Sequence, residues 1–96
     1  MTITIHSVRC HVNTDLQDFI ERKVNKLKKL DNKIISTDVF LKLSKPESYS
    51  NKIAEIIVKY PGLEFFAKRK STTFEELTTQ VLQALRKQIL KNKEKK

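Results

Sequence analysis

Tryptophan is absent from the 96 residues, and cysteine and glycine each occur once. A lone Cys10 cannot close an intramolecular disulfide, so packing has to hold the chain together, and the single thiol agrees with a reducing compartment. One glycine and two prolines leave no Gly-rich loop to cradle a phosphate and little flexible linker. No apolar run reaches the ~20 residues of a membrane span. The opening MTITIHSVRC lacks the charged-then-apolar layout of a secretory signal. A cytoplasmic location is the expectation.

Acids are also scarce. Eleven Asp and Glu stand against twenty Lys and Arg, a formal charge of +9. Such an excess attracts polyanions: nucleic acid, acidic proteins or an anionic membrane face. The 39% hydrophobic content describes a globular chain with one modest core and no need of metal staples.

Catalytic constellations are missing as well. His6, Cys10 and His11 are close in sequence, but their spacing matches no zinc pattern and no second ligand pair follows, so no metal site is expected. No serine or aspartate motif frames Cys10 as a nucleophile. Glu75 and Glu76 are neighbours in the first turn of a predicted helix, which suits the helix dipole better than acid–base work. Neither an enzyme nor a cofactor is expected.

What is present is clear periodicity. TITIHSV alternates, with Ile3 and Ile5 on one face, and predicts a strand. Leu16, Phe19, Ile20, Val24, Leu27 and Leu30 then recur at helical spacing, with a capping-box pair at Thr14 and Gln17 and a stop around Asn32. Ile35, Val39, Leu41 and Leu43 return to period two, as do Ala54, Ile56, Val58 and Tyr60, and then Leu63, Phe65 and Ala67. Pro61-Gly62 has turn chemistry between the last two. Phe74, Leu77, Val81, Ala84 and Leu85 form a second helical stripe, with a capping box at Thr72–Glu75 or Thr73–Glu76. The order is β-α-β-β-β-α, an α+β fold in which two helices pack on one face of a four-stranded sheet. Strands two to four form an antiparallel meander. One domain spans 1–92, followed by a frayed basic tail at 93–96. Phe40 and Phe66 fall on the sheet's other face and make a candidate apolar patch, and Tyr49 is free to stack on a base.

The positive charge is concentrated. Residues 22–33 hold six cations and one acid, and residues 86–96 hold the same. Both segments close a predicted helix. Lys68, Arg69 and Lys70 form a third cluster. Dipole preference accounts for a cation or two at each helix end, worth about 0.3–1 kcal/mol apiece. Five net charges on each of two neighbouring helices exceed that, and a phosphate-binding face explains them better than a merely solvated surface.

The element order, together with FIERKVNKLKKL, VFLKLSKPES, NKIAEIIVKYPGLEFFAKRKSTTFEEL and ALRKQILKNKEKK, resembles the ribosome hibernation-promoting factor family. That family is also called the ribosome-associated inhibitor or sigma-54 modulation family, and the likeness is closest to short forms from Bacteroides-like bacteria. The resemblance covers nearly the whole chain. It implies a double-stranded-RNA-binding-like fold that occupies the mRNA and tRNA channel of the small ribosomal subunit and blocks translation in stressed or stationary cells. Its partners would be that subunit and its rRNA, with no membrane and no small-molecule substrate. By position, the rRNA contacts would be Lys23, Lys26, Arg86, Lys87 and Lys91, with Arg22, Lys29, Lys68, Arg69 and Lys70 as secondary candidates. Two departures stand out: no acid precedes Thr72-Thr73-Phe74, and Gln83 stands near where relatives often carry lysine. Long relatives continue into a dimerisation domain where this chain stops, so any ribosome pairing would need a second factor or would not occur. The alternatives are a general duplex-RNA-binding module and a protein-interaction regulatory module.

Overall fold

The computed structural model describes residues 2–8, 10–44 and 51–94. Its elements are β1 (Thr2–Val8), α1 (Thr14–Leu30), β2 (Ser36–Leu43), β3 (Lys52–Tyr60), β4 (Leu63–Ser71) and α2 (Phe74–Glu94). The expected order is the one observed. Tyr49, the candidate for stacking on a base, lies outside the described residues.

The sheet order is β1-β2-β3-β4. β1 runs parallel to β2, the arrangement a strand–helix–strand crossover produces, and β2, β3 and β4 form the antiparallel meander. Gly62 closes the β3–β4 turn at φ +74°, which a side-chain-bearing residue would adopt only with strain.

One face of the sheet carries the core. Val39, Leu41, Ala54, Ile56 and Val58 pack against Ile20, Val24 and Leu27 of α1 and Leu77, Val81, Leu85 and Ile89 of α2. Burial of these aliphatic groups is the main stabilising term, about 1.5–3 kcal/mol for each fully buried side chain. Two predicted core residues lie outside it. Ile35 is 54% exposed because it precedes β2, and Thr37 occupies the buried position in its phase. Leu63 is 43% exposed because β4 opens there, beside the turn and beyond the reach of the helices.

Helix ends follow side-chain chemistry. α1 starts one residue earlier than the predicted box, with Asn13 rather than Thr14 as its cap: Asn13 Oδ1 accepts the Leu16 N–H at 2.8 Å. The chain leaves α1 through Asp31 in extended backbone, and the Asp31 carboxylate accepts the Lys33 N–H at 3.1 Å. Thr73 caps α2, its hydroxyl accepting the Glu76 N–H at 3.2 Å. α2 continues through Lys93 and Glu94, residues assigned to a tail from sequence alone.

Candidate nucleic-acid interface

Because β1, β2 and β4 share one direction, the helices that follow β1 and β4 both fold back against it and run parallel to each other. Their C-terminal ends therefore meet. Lys93 Nζ near the end of α2 donates to the Leu30 carbonyl of α1 at 2.8 Å, satisfying one of the open carbonyls of that helix end. Asp31 and Tyr60 complete the junction. Burial works to raise the Asp31 pKa, but the Lys33 amide, the Tyr60 hydroxyl and the charges of Lys93 and Lys33 outweigh it, and the carboxyl is held below its ordinary value. Burial, and then the charge and hydrogen-bonding pull of Asp31, push the Tyr60 phenol up to about 12. The buried hydroxyl has no hydrogen bond of standard geometry, so proximity to the carboxylate rather than an ideal bond links the two.

Between the helices runs a groove of about 390 Å3. Lys23, Lys26 and Lys29 line it from α1, and Thr79, Gln83 and Arg86 from α2, over a floor of Leu27, Leu30 and Leu82. Spacings of three and four residues on each helix put these side chains on the facing stripes. Four cations and no acid line the groove. Apolar walls screen such a field less than water does, so the potential along the groove is strongly positive. Lys23 is partly steadied by Phe19, its Nζ lying 5.6 Å from the ring centre.

A second concavity lies on the other side of α2, lined by Arg69 of β4 with Gln80, Gln83, Ala84, Lys87 and Gln88. Gln83 belongs to both. Lys91 is exposed one helical turn beyond Lys87 and extends that side.

The remaining candidates separate from these surfaces. Arg22 sits beside an acidic concavity with Asp15, Asp18 and Glu21, and its Nε donates to the Asp18 carbonyl at 3.4 Å. The Lys68–Lys70 cluster is divided by strand alternation: Arg69 shares the helix side with Ala67, while Lys68 and Lys70 share the opposite face with Phe66. Thr79 and Leu82 were not singled out from sequence, although Thr79 falls four residues before Gln83 and Leu82 four before Arg86. The apolar patch is smaller than its sequence suggests. Phe40 is partly buried and stacks on His6 at 4.6 Å, and Phe66 alone of the pair is more than half exposed. No group of His, Cys, Asp or Glu among the described residues is arranged to hold a metal. No helix among them is long and apolar enough to cross a membrane.

Residues 3–96 match the sequence profile of a family described as sigma 54 modulation protein / S30EA ribosomal protein. Among curated proteins, none matches. Two solved structures share the fold. A ribosomal subunit interface protein from Coxiella burnetii has 20% identity and a TM-score of 0.86, over 97% of this chain and 98% of that one. The N-terminal domain of Thermus thermophilus Protein Y has 19% identity and a TM-score of 0.78, over 93% and 96%.

Proposed function

Since the chain belongs to the sigma 54 modulation protein / S30EA ribosomal protein family, we propose that it binds the small ribosomal subunit in the mRNA and tRNA channel and silences idle ribosomes by occupying it. The observation that carries this reading is the interhelical groove, where Lys23, Lys26, Lys29 and Arg86 converge with no acid among the lining residues. Cations held this closely repel one another unless a polyanion neutralises them, and closely spaced rRNA phosphates supply that neutralisation. Arg69, Lys87 and Lys91 supply a second row of phosphate contacts across the ridge of α2. Arg22, Lys68 and Lys70 lie off both surfaces and contribute through the general field. The protein acts by steric exclusion, without catalysis or cofactor, in the cytoplasm where ribosomes work. Stress and stationary phase are when such silencing is useful.

Co-sedimentation with separated small and large subunits, and with bulk duplex RNA, across a salt series tests this. Retention on the small subunit at salt that releases bulk duplex is expected. Loss from all three at the same salt would reduce the protein to a general RNA-binding domain.

A further inference from the structure

The two edges of the sheet are finished differently. β4 is guarded: Glu64, Lys68, Arg69 and Lys70 line it, and Gln88 Nε2 of α2 donates to the Phe66 carbonyl at 3.0 Å. Charges and covering elements of this kind keep an edge from pairing with other strands. β1, TITIHSV, has no Lys, Arg, Asp, Glu or Pro, and among the described residues no strand pairs with its outer side.

Register fixes which backbone groups that outer side presents. Thr2 is in register with Ser36 and its N–H bonds the Ile35 carbonyl, so Thr2, Thr4, His6 and Val8 turn their N–H and C=O groups to β2. Ile3, Ile5 and Ser7 therefore present theirs to the open edge. This set is symmetric about Ile5. A second β1 laid antiparallel, with a twofold axis through Ile5, gives every outward N–H and C=O of both copies a partner: Ile5 with Ile5, and Ile3 with Ser7. The same operation keeps helices on the helix side and extends the sheet. It also completes unfinished burial, because Ile3 and Ile5 are only partly covered whereas Val39, Leu41 and Ile56 are at most 1% exposed.

Charge favours the same arrangement. A twofold perpendicular to the sheet sets the two α1 helices antiparallel. Glu21 lines the concavity beside β1 with Ile3, Ile5 and Ser7, and Lys28, two turns on, falls on the same side of α1. The acidic half of each α1 then faces the basic half of the other, Glu21 toward Lys28. We infer that β1 is a self-association edge and that two copies of this chain join through antiparallel β1 strands into a continuous eight-stranded sheet. Neither β1, Glu21 nor Lys28 lines the basic groove, so this pairing stands or falls independently of ribosome binding.

Sedimentation equilibrium of the full chain from about 10 µM to about 1 mM tests the pairing. The apparent mass is expected to rise from 11.3 kDa toward twice that value. Ser7→Pro removes an outward donor without touching the β2 ladder and is expected to leave a monomer. Glu21→Lys, a change at a partly exposed helix position, is expected to weaken association by about tenfold, and adding Lys28→Glu to restore it within about threefold. A single 11.3 kDa species throughout would overturn the inference, even if an extended peptide binds the edge instead. So would a dimer indifferent to Ser7→Pro, or a double variant no better than Glu21→Lys alone.

Discussion

The two broad faces of the molecule carry similar kinds of residues but treat charge in opposite ways. On the open sheet face every acid among the described residues has a lysine beside it. Asp38 pairs with Lys59 at 3.3 Å, Glu55 stands in register with Lys68, and Glu64 with Lys59. His6 lies at 4.0 Å from Asp38 and stacks on Phe40. On the helix face, four cations line one groove with no acid among them. Part of the excess of positive charge is therefore gathered in one groove, and no acid is among the residues that line it. Paired charges on a solvated sheet contribute little to stability, typically about 0–1 kcal/mol each, and present little net field to a partner. Unpaired charges in a shaped groove cost stability through repulsion, and a bound polyanion removes that cost.

The largest expected effect follows from reversing the groove. Lys26→Glu with Arg86→Glu places acids on both walls and should weaken small-subunit binding by about a hundredfold at physiological salt. Lys87→Glu with Lys91→Glu should weaken it by less, about tenfold, because that side of α2 is more open. In each case the salt dependence should flatten by about one unit of slope for each phosphate that is no longer neutralised. All four side chains are exposed, so circular dichroism should show an unchanged fold. If the second pair costs more than the first, the groove is not the principal binding surface.

A smaller effect is expected at the junction that holds the two basic helix ends together. Tyr60 has its phenol raised to about 12 from an ordinary value near 10. Below that ordinary value the neutral phenol's contribution is complete. Between the two values the folded state holds a proton that the unfolded state releases, so stability falls as pH rises through this window, by up to about 3 kcal/mol. Tyr60→Phe should remove this alkaline loss in denaturant melts while changing stability at pH 7 by under ~1 kcal/mol, since the hydroxyl has no hydrogen bond of standard geometry to lose. An unchanged alkaline loss in the variant would assign the titration to another group. Asp31 has the opposite sign: its lowered pKa contributes stability above its ordinary value and loses it as pH falls through the folded one.

Much of this arrangement is legible in the sequence, for identifiable reasons. Element order follows from periods of two and 3.6, and these survive wherever a segment buries one face, as Val39, Leu41, Ile56 and Val58 do. The same rule misplaces Ile35 and Leu63, because period says which side a residue shares and not whether the strand or its cover extends that far. Asn13 in place of Thr14 is a one-residue slip between two good capping residues. The basic helix ends are visible as charge runs, but a run in a strand misleads: Lys68, Arg69 and Lys70 are contiguous in sequence and divided between two faces in space. Lys93 shows the converse. It counts toward a charge cluster, yet its ammonium is engaged with the Leu30 carbonyl, a bond between residues 63 apart that no local pattern encodes.

That division of the Lys68–Lys70 run supplies the smallest and most discriminating expected effect. Lys68 faces Glu55 across β3 and β4 and lies on the sheet side away from the groove, while Arg69 reaches the concavity with Lys87. Lys68→Glu sets two acids opposite each other and should cost about 0.5 kcal/mol of stability, as like charges directly across a sheet do. Its effect on small-subunit binding should stay within about threefold, a long-range contribution that fades as salt shortens the screening length. Arg69→Glu, the next residue along the same exposed strand, should weaken binding by about tenfold at the same salt. The two variants carry the same formal charge, so total charge cannot explain a difference between them. Only the face on which each side chain lies can, and equal losses from both would mean that the sheet face touches the ribosome too.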